Sequence, residues 1–413
     1  MSSHLVIPRL LAGPPLDGTA ERVRDHFERL GPVPPVGVGT GVIAELEASG
    51  LLGRGGAGFS VGRKWRAVAE RKGGTAVVVA NGAEGEAASW KDRVLMAHRP
   101  HLVIDGADLA AEAIGADEIV LYIGQEHEAA VAAMHRALME RSAQRRRPTR
   151  IVLAPISYVA GEATAVVNRI NSGDARPTTT PPRVSQKGVA GQPTLVQNVE
   201  SLAYAALIAR FGAAWYRSAG RAQTRGTALV TVTGSVREAG VREIELGTTF
   251  GELATMAGIE DGAQAVILGG YFGTWAPVDE AWELPLDPAV MKGRGLTFGC
   301  GIVGVLGATG CGVRTTAEIM GYMADESAGQ CGPCVYGLRA IADATRRVAG
   351  GKAQAGDLDD VRRWGGLVVG RGACHHPDGA AQLLASSLQV FAGEWDRHMR
   401  LGPCSGARAR FDG

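Results

Sequence analysis

The sequence predicts a mixed α/β protein in three parts: a layered α/β domain, a small β-grasp-like module and a C-terminal helical bundle. Strand and helix patterns alternate over the first half of the 413 residues. Alternating strands separated by turns follow from about residue 222, and helical periodicity dominates from about residue 315. All six cysteines lie in the last third of the chain, so the helical part carries most of the thiols.

The layered domain is predicted from its alternating elements. The β-branched run at residues 75–80 is typical of a buried parallel strand, and residues 118–123 predict the next strand. Helical patterns cover 108–114 and 127–141, and a further strand starts at 151–153. This order favours a largely parallel sheet.

The middle module is predicted from short strands at 228–232, 241–246 and 265–268. Thr249 and Glu252 form a capping-box pattern before a short helix. The bundle is predicted from two apolar helical faces. These faces contain Val335, Leu338, Ile341 and Ala342, and Leu384, Leu388, Phe391, Trp395 and His398.

Composition excludes several classes of protein. With 43 basic and 42 acidic residues, the net charge of +1 gives no electrostatic case for nucleic acid or an anionic membrane as the main partner. The N-terminus lacks a charged region followed by a long apolar stretch, so we expect a cytoplasmic protein without a signal peptide. Residues 295–313 carry no charged side chain but are rich in glycine, which predicts a buried strand and turn rather than a membrane span.

The segment GRGGAG at residues 53–58 is a candidate anion site. Its four glycines free backbone N–H groups, and a helix predicted to begin near Ser60 adds its positive end. Arg54 and Lys64 supply positive charge. A flexible surface loop is the alternative interpretation.

Three polar segments follow predicted strands or turns. Residues 81–86 come directly after the first strand, where α/β folds place ligands, although a plain strand-to-helix turn is an equal alternative. Residues 158–164 and 197–201 contain amides and carboxylates that fit the edges of a heterocycle. Ordinary turns and helix caps would explain the same residues.

The pair Cys331 and Cys334, with Cys374 further on, predicts a redox dithiol, a zinc site or an iron–sulfur cluster. No thioredoxin-like βαβ unit precedes the pair, which counts against the dithiol. His375 and His376 could complete a zinc site, but adjacent histidines are more often surface residues. The remaining thiols are interpreted as buried small hydrophobic residues: Cys300, Cys311 and Cys404.

Together these motifs resemble the NADH-binding flavoprotein subunit of respiratory complex I and its relatives in NAD-linked hydrogenases and formate dehydrogenases. Residues 49–65 are similar to the family's SGLRGRGGAGFPTGxKW, 81–93 to NADExEPGxxKDR, and 158–164 to YxxGEET. Residues 193–201 resemble PTxxNNVET, and 326–334 resemble ESCGQCTPC. The resemblance covers roughly residues 20–400, with the motifs in order.

The resemblance implies a variable extension at 1–30, an FMN-binding α/β domain at 31–222, an SLBB-like β-grasp domain at 223–300 and a helical iron–sulfur domain at 301–413. It implies FMN, a [4Fe–4S] or [3Fe–4S] cluster held by Cys331, Cys334 and Cys374, and NAD(H) near Glu86, the implied catalytic residue. The implied cofactor-binding residues are Gly53, Arg54, Gly55, Gly56, Gly58, Phe59, Lys64, Asn81, Glu84, Tyr158, Gly161, Glu162, Gln197, Asn198 and Ser201.

The implied function is hydride transfer from NAD(P)H to FMN, followed by single-electron transfer through the cluster to a ferredoxin-like or other redox subunit. A membrane redox complex would be reached only through another subunit. Two alternatives stay open: an electron-transfer module that has FMN and a cluster but no nicotinamide site, and a scaffold without cofactors.

Departures from the family motifs affect both the cluster and the nucleotide. Ala328 stands where the family has its first cluster cysteine, so a [3Fe–4S] cluster, or a [4Fe–4S] cluster with Asp325, Ser327, water or another cysteine as fourth ligand, is implied. Several residues on the nicotinamide side are also replaced, which weakens the case for NADH. These are Ala67, Ala83, Ala163, Thr180 and Arg183.

Overall fold

The first part of the chain is built on a parallel sheet of four strands. The computed structural model describes residues 9–34, 40–71, 75–144, 147–409 and 411. The strands are β1 (Ala76–Gly82), β2 (Ala116–Gly124), β3 (Thr149–Ala154) and β4 (Thr194–Asn198). They pair in the order β3-β2-β1-β4, and every neighbouring pair is parallel. All four carboxyl ends therefore meet at one edge of the sheet.

Helices pack around this sheet and supply most of its core. They are α1 (Val23–Leu30), α2 (Thr40–Ser49), α3 (Val61–Ala69), α4 (Lys91–His98), α5 (Pro100–Ile114), α6 (Glu128–Glu140), α7 (Ala163–Ser172) and α8 (Val199–Arg217). Short 3-10 turns lie at Ser142–Gln144, Tyr158–Gly161 and Val189–Gly191. The α5 and α8 backbones approach closely, because a Cβ on Gly106 would lie 2.1 Å from the Leu202 carbonyl oxygen. Only glycine fits at that crossing.

A second, mixed sheet forms the middle of the chain. Its strands are β5 (Thr227–Gly234), β6 (Gly240–Glu245), β7 (Ala265–Leu268), β8 (Thr274–Pro277) and β9 (Ile302–Leu306). The order is β6-β5-β9-β7-β8, with β9 parallel to β5 and antiparallel to β7. The helices here are α9 (Phe250–Ala257), α10 (Val278–Ala281) and α11 (Pro288–Gly293). The predicted capping box of Thr249 and Glu252 is present at the start of α9.

The last part of the described chain is helical. It contains α12 (Gly312–Asp325), a π-helical segment (Pro333–Leu338), α13 (Arg339–Ala349), α14 (Asp357–Val368), α15 (His376–Val390) and α16 (Ala392–Leu401). A single core joins these helices to one face of the second sheet, where Trp275 packs against Phe391. The helical part is therefore continuous with the middle sheet rather than separate from it.

The segment before α1 is fixed to the second sheet and to the junction of α4 and α5. The Glu243 carboxylate in β6 accepts hydrogen bonds from the backbone N–H groups of Arg9, Leu10 and Leu11. The Arg99 guanidinium, fully buried, donates to three carbonyl groups of the same segment. Within the predicted extension, residues 1–8 lie outside the described residues. The rest of it is an integral part of the fold.

The predicted elements are present, with two informative differences. The apolar face predicted over residues 384–398 belongs to two helices, α15 and α16, that meet at Phe391. The helix predicted at 108–114 begins earlier, at Pro100, since proline is favoured in a first helical turn. The uncharged run at 295–313 contains β9, as predicted. Among the described residues, no helix combines the length and apolar character needed to cross a membrane.

Candidate functional site

The predicted site residues gather at the carboxyl edge of the parallel sheet. Asn81 in β1 and Asn198 at the end of β4 are register partners in neighbouring strands. The segment after β3 returns to the same place, because Asn81 Nδ2 donates to the Gly161 carbonyl at 2.9 Å. A Cβ on Gly161 would lie 3.0 Å from the Ala83 carbonyl oxygen. The three polar segments predicted from sequence therefore converge.

The glycine loop, residues 53–58, completes this group. Gly56 and Gly58 have φ values of 100° and 61°, a region that disfavours other residues. The loop is fixed from both sides: the Gly53 N–H donates to the Phe59 carbonyl, and the Arg54 N–H donates to Ser201 Oγ at 3.0 Å. Helix α3 begins directly after it, at Val61.

The loop lies against β4. A Cβ added to Gly55 would lie 3.4 Å from Asn198 Cβ. The positive end of the α3 dipole and the loop backbone are therefore next to the polar residues at the end of β4, as an anion site requires.

The Arg54 side chain points into the protein. Its guanidinium donates to the Tyr216 hydroxyl and to the Thr227 carbonyl, and it lies 3.6 Å from a Glu200 carboxylate oxygen. With these partners Arg54 is 4% exposed, and its side chain is committed to the core. Any contribution of Arg54 to a ligand in the loop is thus confined to its backbone.

Lys64 is the cation that remains next to the loop. Its ammonium group donates to the Val196 carbonyl, and burial lowers the pKa of Lys64 to about 8. Among the described residues it forms no ion pair with a carboxylate. The next residue of β4, Gln197, is buried, and its Oε1 has no hydrogen-bond partner. A ligand that bonds to the Lys64 ammonium group and to Gln197 Oε1 would satisfy both buried groups. These two contacts should therefore contribute most to its binding free energy.

A buried ionic network beside the site fixes the positions of its residues. Glu84 accepts hydrogen bonds from Ser89 Oγ and from the backbone N–H groups of Asp92 and Arg93. Lys91, 1% exposed, pairs with Asp92 at 2.7 Å and with Glu200 at 2.9 Å. These bonds fix the turn from β1 into α4.

The same network orients Asn198. Its Nδ2 donates to Asp92 Oδ2 at 2.6 Å, and its Oδ1 caps α8 by accepting from the Glu200 N–H. The predicted Glu84 and Asn198 therefore hold the site in shape through protein contacts of their own.

Glu86 occupies a separate, apolar part of the edge. Its Oε2 accepts hydrogen bonds from the Tyr158 hydroxyl at 2.8 Å and from the Tyr271 N–H at 2.9 Å, while Oε1 is buried without a hydrogen bond of ordinary geometry. Burial raises the pKa of Glu86 to about 7, although both hydrogen bonds oppose the rise. A carboxyl group near half-protonation at neutral pH can hold or release a proton.

Glu162 and Phe59 have different surroundings. The Glu162 carboxylate caps α7 by accepting from the N–H groups of Thr164 and Ala165. The Phe59 ring is 58% exposed at the end of the glycine loop, where a planar ligand could stack on it. Three of the five replaced residues on the nucleotide side are also exposed: Ala67, Thr180 and Arg183. The other two, Ala83 and Ala163, are half-buried.

The three predicted cluster cysteines lie close enough together to interact. Burial raises the pKa of Cys334 to about 12, and the Cys331 and Cys374 thiols raise it further against a hydrogen bond from Ser327. Burial also raises the pKa of the Cys374 thiol. Asp325 forms an exposed ion pair with Arg339, so Ser327 is the polar side chain beside the thiols at the Ala328 gap.

The neighbouring histidines are occupied elsewhere. His376 Nε2 bonds to the Met323 carbonyl at 2.7 Å, and the His375 side chain is 94% exposed and pairs with Asp378. His375 is a surface residue, as expected from the sequence, whereas His376 is buried, contrary to that expectation. Both histidines have other partners, which disfavours a zinc site that combines them with Cys374.

The thiol segment contacts the sheet edge directly. Glu326 Oε2 accepts from the Tyr158 N–H at 2.7 Å, and Gln330 Nε2 donates to the Pro177 carbonyl at 2.7 Å. The Tyr158 ring packs against Phe272 and Tyr322. Tyr158 thus joins Glu86 to the helical part.

Sequence reasoning missed two of these contributors. The Tyr271 N–H comes from a turn of the second sheet, 185 residues beyond Glu86. Nothing in the local pattern at Tyr271 signals a contact with a distant carboxyl group. Glu326 is recognisable from sequence only as a position in a family motif, and its bond to Tyr158 follows from tertiary packing.

Two family models match the chain. The model described as the Nuo51 FMN-binding domain matches residues 46–206. The model described as the NADH-ubiquinone oxidoreductase-F iron–sulfur binding region matches residues 314–398. The first spans the glycine loop and the sheet edge, and the second spans the three grouped thiols.

Named relatives align with most of the chain. The second F-type subunit of NADH-quinone oxidoreductase in Rhizobium meliloti is 31% identical over 88% of this chain and 90% of its own length. The alpha subunit of the NAD-reducing hydrogenase HoxS of Cupriavidus necator is 32% identical over 85% of this chain, but this chain spans only 59% of that relative.

A solved structure shows the same fold. A crystal structure of an NAD+-reducing [NiFe]-hydrogenase in the H2-reduced state is similar over 87% of this chain, with a TM-score of 0.81 and 30% identity. This chain covers 62% of that hydrogenase chain.

Proposed function

Since the chain belongs to the family of F-type NADH-quinone oxidoreductase subunits, we propose that it oxidises NAD(P)H at bound FMN and passes single electrons through its cluster to a partner protein. The observation that carries this proposal is the convergence at the sheet edge. There the glycine loop meets Lys64, which has no carboxylate partner among the described residues, and a buried Gln197 oxygen without a hydrogen bond.

The FMN site fits these residues. The glycine loop and the N-terminus of α3 favour the dianionic phosphate, and Lys64 adds charge beside it. Gln197 Oε1 can accept a hydrogen bond from a ring N–H of the flavin. We assign FMN contacts to the set predicted from sequence. Within this set, Arg54 contributes its backbone. Glu84, Glu162 and Asn198 also fix the shape of the site through their protein contacts.

The nicotinamide would approach from the side of Phe59 and Glu86. FMN, when bound, supplies the exchange between a hydride and single electrons. Phe59 offers an exposed ring for stacking. The Glu86 carboxyl group, which accepts a hydrogen bond from the Tyr158 hydroxyl, can bind and release a proton of its own near neutral pH. We assign Glu86 the role of positioning and proton exchange at this side of the flavin.

The cluster would be held by Cys331, Cys334 and Cys374. Three thiols at family spacing fit three corners of an iron–sulfur cluster, and alanine at position 328 cannot supply the fourth. Ser327, which bonds to Cys334, is the side chain nearest in sequence to that gap. We infer a cluster with three thiolate ligands and one weaker position.

We propose the domain organisation that the sequence predicts, with one refinement. Residues 31–222 form the FMN-binding domain, and an SLBB-like β-grasp domain follows from residue 223. Because β9 lies between β5 and β7, we extend this domain beyond residue 300 to include it. The helical iron–sulfur domain follows.

We further propose that the chain acts as a subunit in the cytoplasm, attached to other redox subunits and reaching a membrane only through them. The relatives in Rhizobium meliloti and Cupriavidus necator are themselves subunits of larger enzymes, which supports this.

A second function is favoured by the replaced nucleotide-side residues. Ala67, Thr180 and Arg183 lack the aromatic and lysine contacts that the family offers to adenine, and stacking of one base is worth about 1–3 kcal/mol. The chain would then relay electrons through FMN and cluster without binding NADH. Anaerobic addition of NADH to reconstituted protein separates the two: bleaching of the flavin band supports the enzyme, and an inert flavin supports the relay.

The FMN site is tested with Gly55→Val. The valine side chain would crowd Asn198 and the phosphate position, so we expect FMN per chain to fall at least about tenfold after anaerobic purification. Gly18→Val is the matched control, because a Cβ on Gly18 would have no atom within 4 Å, and this variant should retain FMN. Full flavin occupancy in Gly55→Val would refute this placement.

A further inference from the structure

Three side chains lie close together in the helical part of the chain and take no part in the proposed electron path. They are Cys311, which precedes α12, His398 in α16, and Cys404 in the C-terminal segment. Their ligand atoms all lie within 4.8 Å of one another. The sequence predicts both thiols to be buried hydrophobic residues, but neither stands alone in the fold.

The spacing is that of ligands on one metal ion. Cys311 Sγ and His398 Nε2 are 3.6 Å apart. With Zn–S about 2.3 Å and Zn–N about 2.0–2.1 Å, two tetrahedral ligands lie about 3.6 Å from each other. The separation of Cys311 Sγ and His398 Nε2 therefore already fits a shared zinc ion. The Cys404 N–H would have to turn away from Nε2 to leave its lone pair free for the metal.

The surroundings hold the donors in position. Cys311 and His398 are at most 1% exposed. The Arg314 N–H points to Cys311 Sγ at 3.4 Å. The Cys404 N–H points to His398 Nε2 at 3.3 Å, and zinc bound to this nitrogen would replace that contact. Burial lowers the pKa of His398 and the Val348 carbonyl opposes this shift, although His398 Nδ1 forms no hydrogen bond of ordinary geometry.

We propose that Cys311, His398 and Cys404 bind one Zn²⁺, separate from the iron–sulfur cluster, with water at the fourth position. Two thiolates and one imidazole are typical zinc donors. Binding displaces the two thiol protons to solvent, and the two thiolates neutralise the ion. Zn²⁺ does not change its oxidation state, so the ion takes no part in the proposed electron path.

Zinc here would fix the C-terminal segment to helices α12 and α16. The Cys311 N–H donates to the Ala407 carbonyl at 2.7 Å, and the Ala407 N–H donates to the Thr309 carbonyl at 3.0 Å. Beyond them, Phe411 is buried against Trp275. The ion would join α12, α16 and this segment at one point.

The test is a crossed metal analysis of the full chain, reconstituted anaerobically with iron, sulfide and zinc. Wild type should hold about one zinc per chain. Cys404→Ser should lose the zinc and keep its iron, whereas Cys374→Ser should lose iron and keep zinc. Cys300→Ser is the matched control, because Cys300 lies outside both groups and should change neither metal.

Zinc K-edge X-ray absorption on the wild-type holoprotein gives a readout that does not depend on the variants folding. It should report two sulfur and one imidazole ligand. Zinc that persists in Cys404→Ser, a sulfur-free zinc environment, or a Cys311–Cys404 disulfide in protein kept under reducing conditions would overturn the proposal.

Discussion

The Glu86 carboxyl group is buried between a loop after β1 and a turn of the second sheet, and this burial raises its pKa from 4.5 to about 7. Its two hydrogen bonds from Tyr158 and Tyr271 limit the rise without cancelling it. The group is therefore protonated in the folded chain at a pH where the unfolded chain has already lost the proton.

This shift predicts a pH dependence of stability. Because the folded state binds the proton more tightly, the folded chain should lose up to about 3 kcal/mol of stability as the pH rises from about 4.5 to beyond about 7. Glu86→Gln keeps the hydrogen-bond acceptor but cannot ionise, so its thermal midpoint should fall less over this range. Thermal unfolding at about pH 5 and about pH 8 measures the difference.

The control for this experiment is Glu118→Gln, a surface residue paired with Arg150. It should follow the wild-type pH profile. Parallel profiles for wild type and Glu86→Gln would mean that the carboxyl group titrates normally.

In NADH oxidation, Glu86→Gln should also slow flavin reduction while leaving FMN content unchanged.

Among the secondary-structure elements, α1, α5 and α8 are joined by one buried carboxylate. Asp105 in α5 pairs with His26 of α1 at 2.7 Å and with Arg141 and Arg210, and these partners lower the pKa of Asp105 against the opposing effect of burial. Asp105→Asn leaves two buried guanidinium groups without their anion. We expect a loss of about 3–5 kcal/mol in the free energy of unfolding.

Denaturant unfolding measures this loss, with Asp174→Asn as control. Asp174 forms an exposed pair with Arg176, so its substitution should leave the free energy of unfolding nearly unchanged. The Asp105 contribution is present above about pH 4 and is lost as the pH falls below it, because the depressed pKa belongs to the folded state. Equal losses in the two variants would argue against the importance of the buried pairs.

A substitution in the segment before the π-helical turn is predicted to make the cluster more stable. Ala328→Cys restores a thiol where the family has its first cluster ligand. A thiolate binds iron more strongly than serine or water, so the cluster should lose iron to a chelator several-fold more slowly. Ser327→Ala is the companion variant, because it removes the hydroxyl beside the thiols and should speed the loss of iron. Iron loss at the wild-type rate in both variants would indicate that the fourth position lies elsewhere.

The elements also show what local sequence can and cannot predict. Strand β2 follows from a continuous apolar run, and helix α6 follows from apolar residues spaced along one helical face. The break at Phe391 is not predicted, since the same apolar face continues from α15 into α16 with only a change of direction. The approach of Tyr271 to Glu86, and of Cys404 to Cys311, depends on packing between distant segments and leaves no local pattern.

Across the whole chain, the proposed flavin side is bonded to both other parts of the protein. The Leu229 N–H in β5 donates to the buried Glu200 carboxylate at 2.9 Å, and the Trp90 N–H donates to Thr231 Oγ1 at 3.0 Å. Glu326, which precedes the proposed cluster cysteines, accepts a hydrogen bond from the Tyr158 N–H. These bonds keep the sheet edge and the thiols at a fixed separation, as electron transfer between them requires.

Electrons, on this mechanism, enter at the sheet edge and leave through the three thiols. The decisive experiment is anaerobic mixing of the reconstituted protein with NADH, followed by optical and paramagnetic resonance spectroscopy. We expect wild type to bleach its flavin and then reduce its cluster, while Cys374→Ser bleaches the flavin with no cluster signal. A flavin that dithionite reduces but NADH leaves unchanged, or a cluster that NADH reduces in the Gly55→Val chain without FMN, would overturn this electron path.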